Sequence, residues 1–317
     1  MSKHLIFYIL LIYLVIWIIW WFHLDEIDKL VLEDIIYYLL FKDGFNCLKK
    51  RESFRMNNVD NTFIFECILL LFTIPFRNKD FITEKLEGGM YVQAQVLKDP
   101  ELAEKMNDKL WWYTIFKKNN ISTPKIYYYS KNNKIEKMNN LPENMDVIVK
   151  PIDGVLGIMV NKMNSEDALN FIKENDNMII QELIKDYSGK VRHFRIITTS
   201  SGEIFAIFSL STNKGIASNH DAGGIIEICN DGNCLEEKNR LVLNNMAEQL
   251  KHFHKETELS KYYSIGWDVM IKNENGFSIP YCLEGNAPHS SWFYPDHMPK
   301  DLINRYRQGF IKEYKGL

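Results

Sequence analysis

Val147-Ile148-Val149-Lys150-Pro151-Ile152-Asp153-Gly154-Val155-Leu156-Gly157 is a β-rich run that delivers a lysine and then breaks into a loop with two glycines. An ammonium is a compact point charge suited to phosphate, and glycines let backbone N–H groups approach phosphate oxygens. Alone the pattern carries little, because a strand followed by Lys-Pro and a loop arises by chance. It is not a P-loop, since Gly-Lys-Ser/Thr is absent.

Two further stretches, read outward from this one, give it meaning. Ile179-Ile180-Gln181-Glu182-Leu183-Ile184 follows a helix opened by Ser165-Glu166-Asp167, with Ser165 as expected N-cap and acids in the first turn. A strand ending in polar residues at a lobe boundary can offer backbone groups to a base edge and a carboxylate to a sugar. Nearer the C-terminus, Gly266-Trp267-Asp268-Val269-Met270 precedes Leu283-Glu284-Gly285-Asn286. Residues i and i+2 of a strand share a face, so Glu284 and Asn286 project together, and Asp268 on a neighbouring strand can meet them. Three oxygen ligands without Cys or His suit Mg²⁺, which takes the rest of its shell from phosphates and water. Both acids lie in apolar runs, where a carboxylate without a cation or hydrogen bonds is costly.

The texture around these pieces is that of an α+β body beginning near Lys85. Helices are expected over 101–119, 165–175, 238–254 and 301–314. Strands are expected over 126–129, 147–149, 178–184, 194–199, 204–210, 224–229, 265–271 and 278–283, with turns at Ser201-Gly202 and Asp231-Gly232.

This ordered set resembles the ATP-grasp superfamily, and within it looks like the sugar-transfer-associated ATP-grasp group, over about Asp108 to Trp292. The resemblance implies two α+β lobes clasping ATP between antiparallel sheets. It implies Lys109, Lys150, Gly154 and Gly157 on the phosphates, and Gln181, Glu182, Leu183 and Ile184 around adenine and ribose. Asn219 matches a further nucleotide-binding element, although Ser218 stands where aspartate is usual. Arg195 and Lys150 would be catalytic, and Asp268, Glu284 and Asn286 would hold Mg²⁺. Val155-Leu156 replace the usual small residues, and Lys214 is a poor substitute for an arginine often found before Asn219. The implied reaction activates a carboxylate as its acyl phosphate and joins it to an amine or similar nucleophile, in glycan or envelope building. The alternatives are a kinase acting on a hydroxyl and a non-catalytic, membrane-anchored nucleotide-binding protein.

Leu5 to Phe22, LIFYILLIYLVIWIIWWF, is 18 residues without a charge. That length can cross the hydrocarbon core, and Trp17, Trp20 and Trp21 crowd the end where an aromatic belt sits. His23-Leu24-Asp25-Glu26 offers no small-residue cleavage site, so residues 1–24 are expected to anchor the chain rather than to leave it. A second apolar segment, 63–76, carries Glu66 and Pro75 and suits a core or interfacial helix; whether it also crosses stays open. It lies in a helical juxtamembrane region, 25–84, whose Lys42, Lys49, Lys50, Arg51 and Arg55 could face anionic lipid or solvent. The catalytic region is expected over 85–317, divided at 184/185 and placed on the cytosolic side.

The 317 residues carry a formal net charge of −3, so no global cationic field gathers nucleic acid. The five cysteines are scattered, and Cys229 and Cys234, which flank the Asp231-Gly232 turn, are expected to be free thiols. Trp111-Trp112-Tyr113 reads as lobe packing rather than as a stacking platform.

Overall fold

The computed structural model describes residue 15 and residues 99–153, 159–185, 191–212, 225–229, 235–286 and 300–314. The chain divides into two compact units, Ala94–Ile303 and Met1–Gln93 with Asn304–Leu317. The first holds two antiparallel five-stranded sheets.

Its first elements are helices α1 (Pro100–Lys105) and α2 (Lys109–Lys118). The sequence reads as one helix here, but Asp108 interrupts it. The Asp108 carboxylate accepts from the backbone N–H groups of Leu110 (2.7 Å) and Trp111 (3.1 Å), capping a new helix whose first residue is Lys109. The break is held from the other side by Trp112, whose indole N–H donates to the Met106 carbonyl at 2.7 Å.

Strands β1 (Ile126–Lys131), β2 (Lys134–Lys137), β3 (Asp146–Pro151), β4 (Asn161–Asn164) and β5 (Met178–Glu182) form the first sheet in the order β2-β1-β5-β3-β4. The β1–β2 hairpin turns on Asn132 and Asn133, with φ of 55° and 57°, the left-handed pair that a two-residue turn of the right twist requires. Helix α3 (Ser165–Glu174) covers one face of this sheet. Its cap is Asn164, which accepts from the Glu166 N–H, and not Ser165, which is the first helical residue. Val147, Val149, Met178 and Ile180 pack with Ala168 and Ile172 in the core beneath α3.

The second sheet runs β10-β9-β6-β7-β8, from β6 (Val191–Thr199), β7 (Ile204–Thr212), β8 (Ile225–Ile228), β9 (Ser264–Glu274) and β10 (Phe277–Asn286). The amphipathic α4 (Glu237–Glu256) lies on it. Phe194, Ile196, Trp267, Val269, Ile271 and Cys282 point into that core with Leu243, Met246, Leu250 and Phe253 of the helix. Strand alternation therefore turns Arg195, Asp268 and Lys272 to the opposite face. A final helix, α5, covers Lys300–Tyr314.

Cys229 is disulfide-bonded, which corrects the expectation of a free thiol; its partner lies outside the described residues. Among the described residues no helix is long and apolar enough to cross a membrane. The expected anchor, apart from Val15, and the segment 63–76 lie outside those residues, as do Gly154, Gly157 and Asn219.

Candidate active site

Three adjacent strands build one row of charge. Arg195 on β6 is the cross-strand partner of Asp268 on β9, and Asp268 is the cross-strand partner of Glu284 on β10. A β-bulge between Cys282 and Glu284 makes this possible. The extra residue, Leu283, lets Cys282 sit in the core opposite Val269 while Glu284 falls into register with Asp268.

Asp268 is 9% exposed, and neighbouring side chains hold its carboxylate. The Arg195 guanidinium grips it with two bonds, Nε to Oδ1 at 2.6 Å and Nη2 to Oδ2 at 3.1 Å. Asn286 Nδ2 donates to Oδ2 at 3.1 Å. His193, one same-face step along β6 from Arg195, brings Nε2 to 3.7 Å from Oδ1. Sequence reasoning missed His193; the signal was its i, i+2 spacing from Arg195.

Gly285, between Glu284 and Asn286, faces the core. A Cβ there would lie 2.7 Å from Trp267 Cζ3 and 2.8 Å from Trp112 Cη2. The Glu-Gly-Asn pattern thus has a packing cause: two fully buried indoles leave no room for a side chain between the polar pair.

The two lysines arrive from the first sheet's side. The Lys109 N–H donates to the Ile152 carbonyl at 3.0 Å, which pins the start of α2 to the segment just after Lys150-Pro151. Lys109 Nζ lies 3.7 Å from Glu284 Oε2. Lys150, next to last in β3, lies on the face away from α3, the face it shares with Ile179 and Gln181. Burial pulls its ammonium down to about 8, partly countered by Glu284 and Asp268, while Lys109 adds to the depression. Both lysines and the Asp268, Glu284 and Asn286 row therefore occupy one electrostatic neighbourhood. Two buried ammonium groups beside two carboxylates mark a place prepared for a polyanion with its counter-cation.

The segment expected around adenine and ribose divides. Gln181 is buried on Lys150's face of β5, and Leu183 and Ile184 follow the strand end, Ile184 buried. Glu182 alternates to the other face, where it pairs with Val147. Its carboxylate takes Lys272 Nζ at 2.7 Å and the Lys125 N–H at 3.2 Å.

Among the described residues no cluster of three or more His, Cys, Asp or Glu could hold a metal. The donor set present, two carboxylates and an amide, fits a hard cation that completes its shell with phosphate and water. Oδ1 of Asp268 keeps one lone pair beyond its Arg195 Nε bond, whereas Arg195 Nη2 and Asn286 Nδ2 together occupy Oδ2.

A two-sheet clasp with paired lysines on one side and an acid row on the other defines a nucleotide-binding class. The family model described as ATP-grasp domain matches residues 106–287, more than half of the chain. The chain belongs to the ATP-grasp superfamily, and its cofactors are ATP and Mg²⁺. No curated protein matches it in sequence.

Among solved structures, it is similar to the L-amino acid ligase from Bacillus licheniformis at 18% identity and TM-score 0.42, covering 58% of this chain and 41% of that one. It is also similar to the D-alanine–D-alanine ligase from Bacillus anthracis complexed with ATP, at 18% identity and TM-score 0.43, covering 68% and 69%. The N5-carboxyaminoimidazole ribonucleotide synthetase from Thermotoga maritima matches at 16% identity and TM-score 0.40, covering 68% and 50%. The chain thus spans less than half of the first ligase and half of the synthetase. Membership rests on the family match and not on these likenesses.

Proposed function

We propose that this chain is an ATP-dependent ligase. A substrate carboxylate oxygen attacks the γ-phosphorus, ADP leaves, and an amine then attacks the acyl carbon. Phosphate departs with the C–O electron pair, the amine loses a proton, and an amide remains. The observation that carries this reading is the convergence of Lys109 and Lys150 on the Asp268, Glu284 and Asn286 row. In it Lys109 and Lys150 hold phosphate oxygens, and Arg195 meets the charge that develops on the transferred phosphoryl group. Such transfer needs positioning and charge neutralisation more than covalent help from the protein. Asp268, Glu284 and Asn286 would hold Mg²⁺, which when bound neutralises phosphate charge. Neutral His193 beside Arg195 lines the same row; burial, above all, holds its imidazole below the usual range.

The sugar-transfer-associated resemblance supports a carboxylate substrate tied to glycan or envelope building, and the uncharged run 5–22 supports a membrane anchor. The need for ATP, and not the weak flanking charge bias, puts the catalytic region on the cytosolic side. The assay is Mg²⁺-dependent ADP release by the full chain against a panel of amino acids and sugar acids. Release that needs both a carboxylate and an amine supports the ligase. Release driven by a hydroxyl compound alone points to a kinase instead. Detergent-dependent extraction from membranes checks the anchor, and recovery in the soluble fraction would refute it.

A further inference from the structure

We propose that Glu182 and Lys272 form a latch between the two sheets that positions the nucleotide cleft, so that Lys272 is a positioning residue for ATP and Glu182 is not a ribose ligand. This rests on the ATP site proposed above. Glu182 closes β5 of the first sheet, and Lys272 lies on β9 of the second, four residues beyond Asp268 on the same face. At strand rise the two β9 positions stand roughly 13 Å apart, so a nucleoside triphosphate laid along β9 from Asp268 has its base end near Lys272.

The geometry of the pair is that of a fastening. Glu182 Oε1 takes the ammonium at 2.7 Å, Oε2 takes the Lys125 N–H at 3.2 Å, and the Glu182 N–H donates back to the Lys125 carbonyl at 2.8 Å. The carboxylate is therefore tied to the entry of β1 as well as to the opposite sheet. Lys272 also holds Glu274 in an ion pair. The side chains of Glu182 and Lys272 are 14% and 24% exposed, which shields their attraction from solvent. Burial works against the ammonium, but the two carboxylates hold it above its ordinary range. Within β5, alternation aims Gln181 toward Lys150's face and Glu182 away from it. A residue on that side, already committed to two protein partners, serves the spacing between sheets better than it serves a sugar hydroxyl. Losing the latch would leave the cleft to be ordered at the moment of binding, which weakens affinity without touching a ligand contact.

The test is a double-mutant cycle on the full chain with Mg²⁺, titrating ATP and 2′,3′-dideoxy-ATP into wild type, Glu182→Gln, Lys272→Met and the double variant. The latch predicts that each single change raises Kd about tenfold for both nucleotides, and that the double variant is no worse than either single. An effect of Glu182→Gln confined to ATP and absent for the dideoxy analogue would make it a ribose ligand and overturn the latch. Additive single effects, or wild-type affinity in Glu182→Gln, would also overturn it. If Lys272→Met does not fold, the milder Glu182→Gln decides between these outcomes alone. Wild-type protein that bound neither nucleotide would overturn the site itself, a result distinct from intact binding with indifferent variants.

Discussion

At Lys150 the proposed role on phosphate and the stability of the fold pull against each other. Burial depresses its ammonium from 10.5 to about 8, so the folded state binds that proton less tightly than the unfolded chain does. Keeping the charge at neutral pH therefore costs on the order of 3 kcal/mol. Lys150→Met should lower ADP-forming turnover by about 10²–10³-fold, the usual loss for one charge-stabilising donor, while raising the melting temperature. A variant that lost activity and stability together would show the lysine to be structural. Gly285 makes the opposite case. Gly285→Ala forces a Cβ against Trp267 and Trp112, and overpacking of this kind costs about 1–3 kcal/mol. Because Glu284 and Asn286 flank it, the strand must shift them, so weaker Mg²⁺ dependence should accompany the lower melting temperature. Retained Mg²⁺ dependence in a destabilised Gly285→Ala protein would separate the packing from the site.

The elements explain which parts of the site the sequence made legible. The polar row depends on period-two alternation, and Asp268, Glu284 and Asn286 could be matched because strands keep that period. The bulge at Leu283 could not be read, since nothing in Cys282-Leu283-Glu284 announces an extra residue; tertiary packing of Cys282 against the core decides it. The break before Lys109 was hidden by good helix formers on both sides, although Asp108 is a typical cap. The β1–β2 hairpin was missed because Asn132-Asn133 lacks the glycine that usually marks such a turn.

Helix α4 and the second sheet share a further buried device. Trp267 Nε1 donates to Thr198 Oγ1 at 2.7 Å, Thr198 Oγ1 lies 2.9 Å from His254 Nδ1, and His254 Nε2 lies 3.0 Å from the Tyr262 carbonyl. The carbonyl can only accept, so Nε2 carries the proton, Thr198 donates to Nδ1, and the ring is neutral. Burial foremost brings the ring to about 4 from 6.5. The unfolded chain then binds more protons between those values. The contribution is complete above pH 6.5 and is lost as pH falls toward 4, up to roughly 3 kcal/mol. Urea unfolding of His254→Gln should show a shallower loss of stability across that window than wild type; equal slopes would contradict the buried neutral imidazole.

At the scale of the molecule, the two sheets matter as a pair. The proposed site draws on both: the first brings Lys150, the second brings Arg195 and the acid row, and α2 brings Lys109 to Glu284. The order of the motifs made this class visible in the chain, because each motif carried one charged type suited to one part of a triphosphate. Lys272 gave no such signal, since a lysine late in a strand reads as a solvated end until the second sheet is set against Glu182. The central claim is that one nucleotide engages all five side chains at once. A crystal structure of the full chain with Mn²⁺ and a non-hydrolysable ATP analogue tests it, the metal being located by its anomalous signal. The account predicts Mn²⁺ bound by Asp268, Glu284 and Asn286, with phosphate oxygens on Lys109 and Lys150. A nucleotide seated elsewhere, or a metal held by other residues while Arg195 keeps both oxygens of Asp268, would contradict it.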